Sequence, residues 1–266
     1  MAQYGFGAGL VFVKPIADYA GNAVSNPTPL KVGELQDISL DMSFDTKLLR
    51  GSNQFPVAVG RGAGKVSGKA KFARFNGIML NIAIFGQGSG TGIRAVFNDT
   101  TGGTAIPSTP FQITPVTAYT GLLEGSTPVF VQDLGVVNGT TGLPMKRVAS
   151  APAAGQYSVV EATGIYTFSS ADNVSAIKAQ INFEYTATST TGVSQAVVNV
   201  PMGYAPSFRL ELLMSYGGKN MTWILPGCIG SKFTLATRLD DFLIPDFDFE
   251  AFADPGGNIL YYGLSE

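Results

Sequence analysis

Two carboxylates set two positions apart, Asp246 and Asp248, are the arrangement in this chain best placed to do chemistry. On one face of an extended strand their α-carbons would lie ~6.5 to 7 Å apart. That falls inside the ~6.5 to 9.5 Å span at which an acid and a base flank water in an inverting glycoside hydrolase. No Trp or Tyr is concentrated beside them, and Phe247 and Phe249 point the other way, so a solvated acidic stripe accounts for the pair more simply. Other schemes lack their residues. The chain has no histidine, which removes Ser-His-Asp and Cys-His nucleophile systems and most zinc, iron and copper sites. The single Cys228 can form no internal disulfide and stands in the apolar run ILPGCIG, where it reads as a buried structural thiol. The Gly-rich run Gly86 to Gly92 has the wrong spacing for a phosphate-binding loop, lacks its lysine and follows a helix instead of preceding one. We therefore expect no catalytic, cofactor-binding or metal-ligating residues.

Charge sets further bounds. The net charge is −2 with a pI near 5.2, so no global positive field holds nucleic acid by counterion release. Lys65, Lys69 and Lys71 form a basic row, but Asp37 and Asp41 on the neighbouring strand offer cross-strand partners. Charged residues make up 14% of the chain against roughly 25% in ordinary domains, which suggests an outside that is covered in use, as in a subunit of an assembly. The start, MAQYGFGAGLVFV, lacks the basic and apolar regions of a signal peptide. No run reaches the ~20 apolar residues of a spanning helix. We expect a product made in a cytoplasm and no membrane partner. Asn-x-Ser/Thr matches at Asn98, Asn138 and Asn173 carry little meaning in such a chain.

Strands must position these residues. Gly5, Gly7 and Gly9 open a first strand at Leu10 to Val13, and a Pro-punctuated turn through Asn26-Pro27-Thr28-Pro29 follows. Asp37, Ser39, Asp41, Ser43 and Asp45 alternate with Ile38, Leu40, Met42 and Phe44, one face wet and one buried. Lys65, Ser67, Lys69 and Lys71 alternate likewise with Val66, Ala70 and Phe72. Between them Thr46 to Ala58, TKLLRGSNQFPVA, reads as a long loop that belongs to neither strand, more apolar than closure requires, and so as a docking arm. Phe75, Ile78, Met79, Ile82 and Phe85 fall at helical spacing before Gly86, which predicts one flanking helix. A Gly-rich, loosely patterned region at about 92–157 reads as an insert, with short β-rich runs at Phe111 to Val116 and Val129 to Val131. Strands are then expected at Ile165 to Phe168, Ile177 to Tyr185, Ala196 to Val200, Phe208 to Tyr216, Asn220 to Leu225, Ser231 to Leu239 and Phe242 to Phe252. SSADN turns the chain after Phe168, and Gly217-Gly218 makes a tight hairpin turn. A single all-β domain with an elaborated insert fits 266 residues.

The run VGELQDISLDMSFDTKLLRGSNQFPVAVGRGAGKVSGKAKFARFNG resembles the amino-terminal signature of bacteriophage major tail (tail tube) proteins. Pro206 to Leu213, Tyr216 to Lys219, Trp223 to Pro226 and Asp240 to Asp254 are similar to the closing strands of that family. The likeness covers both outer thirds of the chain. It implies an antiparallel β-sandwich or partly open barrel with one flanking α-helix and a long inter-strand loop, six copies forming a ring and the rings stacking into a tube. It further implies that Lys47, Leu48, Leu49, Phe55 and Pro56 reach a neighbouring subunit or ring. Asp37, Asp41, Lys65, Lys69, Lys71, Asp246, Asp248 and Glu250 become candidates for the lining of a channel that passes double-stranded DNA without specific binding. The implied partners are further copies of the chain, a tape-measure protein, a tail terminator and distal tail or baseplate proteins, and the implied place is the tail of a virion. A β-structured capsid cement or surface adhesin, and a carboxylate-dependent glycan hydrolase, are the alternatives.

Overall fold

The computed structural model describes residues 7–74 and 76–265; Gly5 and Phe75, assigned above to the first strand and the helix, lie outside the described residues. In chain order the strands begin with β1 (Leu10–Ala17), β2 (Leu30–Lys31), β3 (Leu35–Arg50) and β4 (Pro56–Phe72), followed by α1 (Gly77–Leu80) and a π-helical turn, Asn81–Phe85. Next come β5 (Gly90–Thr91), β6 (Ile93–Phe97), β7 (Thr104–Ala105), β8 (Gln112–Ile113), α2 (Pro115–Ala118) and β9 (Ser126–Asn138). They are followed by β10 (Lys146–Arg147), β11 (Gln156–Val160), β12 (Ile165–Phe168), α3 (Ser170–Val174), β13 (Lys178–Thr188) and β14 (Val193–Ser194). The chain closes with β15 (Ser207–Tyr216), β16 (Lys219–Thr234), β17 (Asp246–Ala251) and β18 (Tyr261–Leu264). The fold is all-β with antiparallel sheets, as the alternation predicts; one two-residue pairing, β10 with β11, is parallel.

Two compact units divide the chain, one made of Met1–Ser89 with Ala196–Glu266 and the other of Gly90–Gln195. In the first unit the strand order is β2-β1-β15-β16-β17-β4-β3, with β18 pairing the first part of β16. The sheet folds over itself. Ile38, Leu40 and Met42 of β3 share an apolar groove of about 230 Å³ with Leu212 and Met214 of β15 and Met221 and Trp223 of β16. Val11, Val13, Phe208, Leu210, Leu225, Phe247 and Phe249 fill the core, and Met79 and Ala83 of the helical turns pack on it. Tight fits appear where a side chain is missing: a Cβ on Gly68 would lie 2.3 Å from the Phe249 ring, which sits across from it in register.

The second unit runs to Gln195, beyond the limit of 157 expected for the insert. The strong pattern at Ile177 to Tyr185 is the reason, because β13 pairs with β6, β7 and β9 and its alternate residues Ala179, Ile181, Phe183 and Tyr185 are the centre of this unit's core. A second sheet, β10-β11-β12-β8, supplies Tyr157, Tyr166 and Phe168 to the same core. The entering and leaving segments, β5 and β14, pair with each other.

Several expectations are corrected. Thr46 to Ala58 is not a long loop: β3 and β4 continue through it, with Leu48 opposite Val59 and Leu49 opposite Ala58, so that only Gly51 to Phe55 connects them. This hairpin arm buries neither face, so its sequence shows no period of two. In place of one flanking helix, the described residues hold three short α-helical segments and a π turn. The widened turn begins at Asn81, whose side chain binds the Gln87 backbone at both its amide and its carbonyl, and ends at Gly86 in the left-handed conformation. SSADN forms α3, capped by Ser169. Asn220 to Leu225 and Ser231 to Leu239 are parts of one strand, β16, which runs through Pro226 and Gly227 and stops at Thr234; Ala196 to Val200 is not a strand, and the last predicted strand starts at Asp246, not Phe242.

The Phe249 contact gives a direct test. Gly68→Ala is expected to lower stability by about 1–3 kcal/mol through overpacking, measured as a shift in urea midpoint, while Gly88→Ala, which meets open space, leaves the midpoint nearly unchanged.

Candidate functional site

Register places the charged residues of three distant segments side by side. Asp37 of β3 lies opposite Lys71 of β4, which lies opposite Asp246 of β17. In the next rows Ser39, Lys69, Asp248 and Lys232 align across β3, β4, β17 and β16, and Asp41, Ser67 and Glu250 align across the first three. Partners in register share a face and neighbours along a strand alternate. All eight candidate lining residues, Asp37, Asp41, Lys65, Lys69, Lys71, Asp246, Asp248 and Glu250, therefore lie on one face. Phe247, Phe249, Ala70 and Val66 point from the same strands into the core.

Lys65 and Lys69 pair with carboxylates of β17, not of β3. Lys65 Nζ lies 2.7 Å from Glu250 Oε1 and Lys69 Nζ 3.5 Å from Asp246 Oδ2. Both pairs are partly exposed, so each contributes little to stability. Asp248 Oδ1 is buried without a hydrogen-bond partner, in register between Lys69 and Lys232, whose positive charge offsets its own. Lys232 escaped the sequence reading because a bulge between Gly230 and Lys232 shifts the alternation of β16. With it, five carboxylates and four lysines share the face, a mixed field close to neutral. The Asp246 and Asp248 pair thus sits among lysines.

The second feature is the arm. β17 covers β4 only from Val66 to Lys71; beyond Lys65, among the described residues, β4 pairs with β3 alone, and β3 pairs with β4 alone along its whole length. Lys47, Leu48 and Leu49 lie on β3, Pro56 on β4 and Phe55 in the turn, so the five expected docking residues cluster on one hairpin. Leu49 is 64% and Phe55 80% exposed. Val57 and Val59, absent from the expected set, add to the exposed apolar surface. Arg61 lies over the Phe44 ring, 4.5 Å from its centroid, at the bulge where the arm leaves the body.

Among the described residues the other buried side-chain atom without a hydrogen-bond partner is Asp172 Oδ2, in the second unit. Cys228 is buried, and burial pushes its thiol up to about 12. Among the described residues no group of three or more His, Cys, Asp and Glu side chains could hold a metal ion, and no helix is long and apolar enough to cross a membrane. In the second unit Asp133 accepts from the Tyr157 and Tyr166 hydroxyls, each at 2.8 Å, and Asp99 accepts from Tyr119 at 2.7 Å. Burial, and then the neighbouring carboxylate, holds the Tyr157 and Tyr166 phenols above the ordinary tyrosine range. Burial pushes Tyr119 up to about 12. No family model matches the chain, and no curated protein sequence matches it.

The raised phenols fix a pH dependence. A tyrosine with a folded pKa above its unfolded value of ~10 contributes stability that is complete below that value and is lost as pH rises through the folded one. An alkaline titration followed by tyrosinate absorbance should show exposed members of the ten tyrosines ionising first and these three only as the second unit unfolds. A single step near pH ~10 with the fold intact would contradict these contacts.

Proposed function

We propose that this protein is a non-enzymatic structural subunit of a bacteriophage tail tube, polymerising as stacked hexameric rings around a channel for genome delivery. The observation that carries the reading is the arm: a long antiparallel pair, exposed and apolar on both faces, whose two backbone edges are unpaired among the described residues. Such an edge is a template for another chain, and a subunit that displays one so openly is built to be completed by a neighbour. Leu48, Leu49 and Phe55 are its apolar contacts. Burying two or three such side chains would contribute several kcal/mol at ~25 cal/mol per Å², and stacking repeats the gain at every copy.

The charged face supports the same reading as the channel lining. DNA must pass without being held, and a continuous basic wall would release counterions and bind phosphates at each ring. A face that sets five carboxylates against four lysines presents no such wall. On this reading the remaining partners are a length-setting tape-measure protein inside the tube and the terminator and distal proteins at its ends.

Negative-stain microscopy of the purified protein tests the proposal. Rings or tubes with a central hole are expected, whereas decoration of icosahedral shells would favour a capsid cement. Replacing Leu48, Leu49 and Phe55 by Ser should leave a folded subunit, judged by circular dichroism, that makes no long tubes; normal tubes from this variant would remove the docking role of the arm.

A further inference from the structure

We infer that the hairpin arm of one copy seats on the loop at residues 235–245 of the next copy, an apolar contact selected by opposite charge. The inference rests on the tube reading above and names the surface that receives the arm. The loop joins β16 to β17 and carries two of the most exposed apolar side chains of the first unit, Leu239 at 98% and Phe242 at 90%. An isolated backbone β-bridge between Arg238 and Asp241 holds it as a turn. Among the described residues nothing in the same copy covers these side chains.

Position makes the two surfaces a pair. β17 starts at Asp246, opposite Lys71, beside the root of the β3–β4 hairpin where Leu35 faces Phe72. The arm's turn lies at the other end of the same strands, up to about 50 Å away at ~3.3 Å per residue from Lys71 to Pro56. The contact therefore joins unlike surfaces at opposite ends of one sub-sheet. Contacts of that kind do not close on a dimer; they propagate.

Charge supplies the fit. From Thr46 to Arg61 the arm carries Lys47, Arg50 and Arg61 and no acid. Residues 235–245 carry Asp240 and Asp241 against a single Arg238, and Asp246 follows directly. A basic, apolar tip thus faces an acidic, apolar seat. Two arms would repel each other, as would two loops, so head-to-tail stacking is favoured over either symmetric arrangement.

Charge reversal of each surface, alone and together, tests the inference. Lys47→Glu with Arg50→Glu, or Asp240→Lys with Asp241→Lys, should each lower the sedimentable polymer by at least about tenfold. Asp241 also accepts a hydrogen bond from the Phe242 amide, so Asp240→Lys alone serves as the milder loop variant, expected to lose polymer with an unchanged circular dichroism spectrum. All four reversals in one chain should restore polymer to within about twofold of the unmodified protein, since arm and loop again oppose in sign. Tubes from the unmodified protein that persist in every reversed variant, or a combined variant that folds but stays unassembled, would overturn the pairing and leave the tube reading standing. Absence of polymer from the unmodified protein would overturn both.

Discussion

The structure depends on a mismatch of strand length. β3 and β4 have 16 and 17 residues, whereas β17, the strand that ties them to the rest of the sheet, has six. Where β17 runs alongside, alternation divides the residues of β4 between a buried face and a charged one, while the apolar residues of β3 are at most half-buried. Where it stops, the pair continues without a layer beneath it. The arm is therefore a consequence of topology: its backbone is paired internally, but its outer edges and both faces remain open. Stability of an isolated two-stranded ribbon is marginal in water, and the arm is held by its continuity with the body and by the Arg61 contact with Phe44.

The same alternation couples core and charged face. A slip of one residue between β4 and β17 would carry Phe247 and Phe249 to the surface and Asp246, Asp248 and Glu250 into the core. Burial of the two phenylalanines, with the Phe249 ring seated over Gly68, thereby sets the row in which each lysine meets each carboxylate. In the tube reading this gives the channel wall a pattern of charge fixed by packing beneath it, not by the weak surface ion pairs themselves.

Much of this was legible in the amino-acid order. The paired faces of Lys65 to Phe72, the inward phenylalanines of β17 and the core pattern of β13 followed from a period of two, and the charged residues singled out there do share a face; the apolar face expected to be buried on β3 is not, since Met42 is 48% and Phe44 51% exposed. What escaped the reading lacked a buried side to impose a period. Leu48, Leu49, Val57 and Val59 continue the ladder in solvent, so apolar residues on both faces resembled a loop. Bulges hid other features: the one at Gly230 moved Lys232 onto the charged face, and the ones near Thr46 and Arg50 broke the pattern of the arm. The flanking helix was overestimated because Ile78, Met79, Ile82 and Phe85 suit a helical turn of either width, and the Asn81 side chain, bonded to Gln87, marks where the turn widens.

Amide hydrogen exchange across residues 46–64, compared between dilute and assembled protein, measures the completion of the arm directly. The account predicts that amides on the outer edges of the hairpin exchange rapidly in the isolated copy and become protected on assembly, while the Val66 to Phe72 amides, already inside the sheet, change little. Equal exchange of residues 46–64 in the two states would contradict it.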